Sequence, residues 1–141
     1  MNDYTQKEDE KTMYEDLDKF LDNPSTLTIL DIVEDYKELL KRALKGGTYF
    51  IDKESGTCCG LLPSKGCLVA FRLEQQGHHF TRGLRRKILE VCREWQAKTG
   101  LPIEVHTKAC FYNEQVKKLL RLTHFETVAV KDGYYISLFR G

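Results

Sequence analysis

The chain has 141 residues, 41% hydrophobic and 30% charged, a composition that suits one folded domain and argues against a disordered tail. Its 22 basic and 21 acidic side chains nearly cancel, so the strongly basic balance that would make nucleic acid the default partner is missing. No apolar run approaches the roughly 18 residues of a membrane span, and the acidic, polar start MNDYTQKEDEKTMYEDLDKF does not read as a secretory leader. The expectation is a soluble, cytoplasmic protein that is not secreted.

Residues 1–23 hold eight acidic side chains and three lysines, which leaves the rest of the chain basic. Met13, Leu17, Phe20 and Leu21 fall at i, i+4, i+7 and i+8, a helical stripe that Asn23-Pro24 ends. We therefore divide the chain into an acidic helical arm, residues 1–24, and one domain, residues 25–141. The arm can dock or dangle on this reading. A second stripe, Ile32, Val33, Tyr36, Leu39, Leu40, Ala43 and Leu44, predicts a helix from an Asp31 N-cap to Lys45, closed by Gly46-Gly47.

The pattern then turns to strands. Thr48 to Asp52 and Thr57 to Leu62 are rich in β-formers around the turn Lys53-Glu-Ser-Gly56, and Pro63 to Gly66 turns into a third, apolar strand, Cys67 to Leu73. A loop, Glu74 to Phe80, enters a helix whose buried face is Leu84, Ile88, Val91, Cys92 and Trp95, ended by Gly100-Leu-Pro102. Ile103 to Thr107 alternates as a strand. Asn113 opens a further helix through Val116, Leu119 and Leu120, and Phe125 to Val130 and Tyr134 to Phe139 form a hairpin on Asp132-Gly133. The fold class expected is α/β (α+β): a mixed, mostly antiparallel sheet flanked by helices, with an N-terminal helical extension.

The five cysteines form no CxxC, and the histidines do not pair with them at zinc-finger spacing, so no metal site is expected. Reduced thiols acting as small hydrophobes are the plain reading.

The order of elements, with residues 67–125 above all, resembles the GNAT family of N-acetyltransferases. In that family a Q/R-x-x-G-x-G/A loop and the following helix N-terminus hold the pyrophosphate of acetyl-CoA, where backbone N–H groups and the helix dipole favour an anion. The matching stretch here is Phe80-Thr-Arg-Gly-Leu-Arg85, followed by Arg86-Lys-Ile-Leu89. Gly83 keeps the first glycine, while Phe80 replaces Gln or Arg and Arg85 replaces the second glycine. The resemblance implies Arg82, Gly83, Leu84, Arg85, Arg86 and Lys87 as the donor-binding residues; a solvated basic helix start is the alternative. It extends to Asn113 and Phe125 at the family's spacing, with Leu120 where a general-acid Tyr is usual and His124 where Gly is usual. Asn113 is then either a cofactor contact or an N-cap.

Transfer of an acyl group to an amine needs a base and donors for the oxyanion. Glu74 near a strand end, and Glu104 with His106 sharing one face of the next strand, are the candidates. Each also reads as a solvated or structural polar group. The implied cofactor is acetyl-CoA without a metal, with an amine as acceptor. The departures at Arg85, Leu120 and His124 keep a second reading open: a GNAT-fold protein without activity, working through protein partners or self-association. Residues 48–141 are also similar to degenerate acetyltransferase-like proteins of tailed bacteriophages, which implies a virion or internal head component. A nucleic-acid or nucleotide binder using Arg82 to Lys87 is the third reading, against which the near-zero charge counts.

Overall fold

The computed structural model describes residues 15–20, 22, 26–27, 45–75 and 79–141. Among these residues the sheet has seven strands, with the continuous order β2-β3-β4-β5-β7-β6 and β1 (Thr26–Leu27) pairing with β4 off that path. β2 (Thr48–Asp52), β3 (Thr57–Ser64) and β4 (Cys67–Gln75) are the expected antiparallel meander. The turn between β2 and β3 is closed by Ser55 Oγ, which donates to Asp52 Oδ2 at 2.8 Å. The next turn is tighter than the sequence suggested. Pro63 is paired with Leu68 inside the ladder, and only Lys65-Gly66 turn, with Gly66 at φ 73°. Pro63 lies past the last β2 pair, Thr48 with Leu61, and by alternation its nitrogen points away from β4, so its missing N–H costs no bond of the β3–β4 ladder.

The crossover from β4 to β5 (Ile103–Lys108) carries α2 (Arg82–Thr99). Thr81 caps it, Oγ1 accepting from the Leu84 N–H at 3.0 Å, and Gly100 ends it at φ 69°, donating its N–H to Gln96 O. A 3-10 turn, Ala109–Phe111, leads to α3 (Glu114–Leu122). The final hairpin, β6 (Phe125–Lys131) and β7 (Tyr134–Phe139), turns through Asp132 and Gly133 at φ 52° and 80°, the two positive angles a two-residue hairpin turn prefers.

The strand period places the two faces. Residues 59 and 61 of β3, 68, 70, 72 and 74 of β4, and 103, 105 and 107 of β5 lie on the side of α2 and α3. There Leu61, Leu68, Cys92, Ile103, Leu120, Phe125 and Phe139 form one buried cluster. On the opposite face Leu17 and Phe20 of α1, the helical residues 15–20, pack with Cys58, Phe71 and Leu73. This part of the acidic arm therefore docks on the sheet. The expected helix over 31–45 lies outside the described residues apart from Lys45. β1 (Thr26–Leu27) was not anticipated: two residues carry no periodicity to read.

His124 sits just past α3 at φ 64°, a left-handed backbone that glycine adopts most readily. That conformation crowds a Cβ against the following carbonyl. His124→Gly is expected to raise the unfolding free energy by about 1 kcal/mol. An unchanged or lower urea midpoint would mean that the ring's own contacts outweigh the strain.

Candidate functional site

β4 and β5 are parallel and pair at only three positions, Leu68 with Ile103, Val69 with Glu104 and Ala70 with Val105. Both strands continue, to Gln75 and Lys108, but they separate. β3 occupies one edge of β4 throughout, so β1, which pairs at Glu74 and Gln75, takes the edge that β5 has left. Between the two partners a window opens at residues 71–73. Leu68 N–H donates toward β5, to Pro102 O at 2.8 Å, so by alternation the N–H and C=O of Arg72 face this window.

A cleft of about 150 Å³ lies at the window, on the helix side of the sheet. Ala70 and Arg72 line it from β4, Val105, Thr107 and Lys108 from β5, and Ile88, Val91 and Cys92 from α2. Val116, Leu119 and Leu120 of α3 close another side, and Phe80 stands one residue before the N-cap of α2. The cleft thus begins beside a helix N-terminus. There Leu84 N–H is capped and Arg85 N–H bonds to Thr81 O, so the Arg82 and Gly83 N–H groups are left with no acceptor inside the helix.

The ten residues singled out in the sequence are not used alike. Arg82, Gly83, Arg86 and Lys87 are exposed at the start of α2. A Cβ on Gly83 would meet only Thr81 Oγ1, at 3.8 Å, so the protein's own packing does not demand glycine there. Leu84 is buried, with 2% exposure, and belongs to the core. Arg85 turns away from the helix start: its Nε donates to Leu122 O at 2.8 Å, stitching α2 to the last carbonyls of α3. Asn113 is an N-cap, its Oδ1 accepting from Val116 N–H at 3.0 Å.

Among the three acid–base candidates only Glu74 lies on the cleft's side of the sheet. It is 6% exposed, and Arg72 Nε donates to its Oε1 at 2.7 Å. Glu104 and His106 do share a face, with 3.5 Å between His106 Nε2 and Glu104 Oε2, but it is the face turned away from the cleft. There the Cys67 thiol donates to Glu104 and holds its carboxyl below the usual range, with His106 adding to the effect. Tyr112, beside Asn113, stacks on Tyr135 at 3.9 Å, and its hydroxyl is hydrogen-bonded to Thr127 Oγ1 at 2.7 Å.

Arg72 and Lys108 were missed in the sequence. The signal for Arg72 was its place in Cys67-Leu-Val-Ala-Phe-Arg-Leu73, where a guanidinium inside an apolar strand needs a partner or a cleft. Among the described residues no group of three or more His, Cys, Asp or Glu could hold a metal ion, and no helix is long and apolar enough to cross a membrane.

A mixed, mostly antiparallel sheet with flanking helices and a parallel pair splayed beside a helix N-terminus is a GNAT-like fold, as the element order led us to expect. A protein from Bordetella pertussis described as a GnaT-family acetyltransferase has a similar solved structure, with a TM-score of 0.54 and 16% identity over 78% of this chain and 79% of that one. At this identity the likeness establishes the fold. No protein-family profile matches the sequence, and no curated protein is significantly similar to it.

Proposed function

We propose that this chain is an acyl-CoA-dependent N-acyltransferase whose donor lies in the window between β4 and β5. The observation that carries this reading is the window itself: an unpaired stretch of strand edge opening onto a cleft that starts at a helix N-terminus. An extended pantetheine arm would pair with the Arg72 N–H and C=O as a strand does. The pyrophosphate would take the Arg82 and Gly83 N–H groups, with the Arg82, Arg86 and Lys87 side chains supplying charge. Basic residues in a first helical turn oppose the dipole, and an anion there relieves that cost.

In the reaction the acceptor amine attacks the thioester carbonyl, the carbon–sulfur bond breaks, and the thiolate leaves as CoA and takes a proton. Glu74 is the candidate base, drawing the amine proton through water, and Arg72 holds its carboxylate in place. Acetyl-CoA is the donor that the resemblance implies, and a small amine the acceptor.

One observation favours a second reading, a scaffold that has lost the chemistry. Leu120 presents an aliphatic side chain to the cleft where the family has a phenol, and the Tyr112 hydroxyl is tied to Thr127. The two readings part in a calorimetric titration with acetyl-CoA and with free CoA. Saturable micromolar binding of both supports the acyltransferase and calls for an acceptor screen. No heat and no thermal shift at millimolar ligand retires it in favour of the silent scaffold.

A further inference from the structure

The sheet ends in an open edge at β6. That strand has β7 on its inner side and no strand on its outer side among the described residues. Two of the three large hydrophobic side chains exposed among those residues sit on it, Val128 and Val130, with 44% and 63% exposure. Ala129 between them is exposed as well, so the edge lies open to solvent. A bare edge of this kind is a template for another strand.

Backbone alternation says which groups the edge offers. His124 O accepts from the Arg140 N–H at 2.8 Å, so Glu126 bonds across to β7, and Phe125 and Thr127 turn their N–H and C=O outward. At the other end the Lys131–Tyr134 pair closes the two-residue turn, which leaves the backbone of Val130 facing outward. Between them the register shifts by one residue at Val128, a β-bulge. The bulge also changes which side chains share a face. Residues five apart in a plain strand point to opposite faces, but here Glu126 and Lys131 stand beside Leu138 and Tyr134, on one face.

The strand is therefore self-complementary. When two copies of β6 run antiparallel with Glu126 opposite Lys131 of the second copy, Thr127 falls opposite Val130, and both bring outward-facing backbone groups. The two-fold axis repeats each pair, giving two opposite-charge pairs and two backbone pairs. Glu126 accepts from Arg140 Nε at 2.9 Å, yet both side chains are more than half exposed, so the carboxylate has room for a second cation. An edge lysine usually guards a strand against pairing; opposite a glutamate it favours pairing.

We propose that β6 is a homodimer contact, at which the sheets of two copies of this chain join in that register. The proposal does not depend on the acyltransferase reading. Seven residues a side fall short of the roughly 20–30 of a standard interface, so the dimer is expected to be weak. The test is sedimentation velocity on the full chain at low salt, from about 1 to about 200 μM. The sedimentation coefficient is expected to climb toward that of a dimer across this range. Lys131→Glu and Glu126→Lys each set like charges opposite each other, and each is expected to weaken self-association at least about tenfold. Mixed in equal amounts, the two variants regain opposite charges at both ends of the contact, and a heterodimer is expected at wild-type strength. A variant that merely failed to fold would not be rescued by mixing. A chain that stays monomeric at every concentration overturns the proposal. So does a dimer that neither variant weakens, which would lie on another face, and so does an equimolar mixture that associates no better than its components.

Discussion

Gly83→Trp is expected to abolish any thermal shift and heat that CoA and its thioesters produce, while Gly83→Ala is expected to stabilise the free protein and still weaken the ligand. The two results together are the informative ones. Gly83 is the second residue of α2, is exposed, and has ordinary helical space around it; a Cβ there touches only Thr81 Oγ1 at 3.8 Å. Glycine in a helix costs about 0.5–1 kcal/mol against alanine, so Gly83→Ala is expected to gain up to about 0.5 kcal/mol at this terminal position. A glycine that the fold's own packing does not require leaves the backbone here open to something outside the fold. On the proposed function that something is the pyrophosphate, which a tryptophan side chain displaces. Wild-type CoA affinity in Gly83→Trp would move the phosphate away from this helix end.

Ile103→Ala is expected to lower the unfolding free energy by about 3–4 kcal/mol, within the range for deleting a buried aliphatic side chain and leaving a cavity. Ile103 has no exposure and begins β5 where it pairs with Leu68. It packs in the cluster that joins Cys92 of α2 and Leu120 of α3 to the sheet. Against the roughly 5–15 kcal/mol that holds a domain together, the loss is a large share. A urea midpoint that implied less than about 1 kcal/mol would mean that the helices can close over the gap. The same change loosens the pairing that ends at the window, so the variant is also expected to bind CoA more weakly than its remaining folded fraction accounts for.

Local chemistry was legible in the sequence, and placement was less so. The Asn113 cap, the glycine stop at Gly100 and the Asp132-Gly133 turn follow from single residues and hold in the structure. Strand ends were shorter in expectation than in fact. β4 runs on to Gln75 because Glu74 and Gln75 find a partner in β1, and no local pattern in Glu74-Gln75 announces a strand. Period 2 put Glu104 and His106 on one face of β5. The same alternation set Ile103 and Val105 on the other, and that apolar face goes to the helices and the cleft. Arg85 is the clearest limit. Its neighbours in sequence suggest a phosphate, and only the approach of α3, 37 residues later in the chain, shows that it serves a carbonyl.

The narrow contact between β4 and β5 also bears on how the chain assembles. On one side of it the strands of the 48–75 region are joined by tight turns; on the other, β5 to β7 and α3 fall within residues 103–139. Each half can form from contacts near in sequence, which close quickly, whereas the joint between them spans α2 and forms against a longer loop. Three pairs of residues at that joint are a weak weld for a sheet of this width. A molecule lying along the strand edge beyond it would act as a further strand, and so would brace a joint that the chain's own pairing leaves narrow.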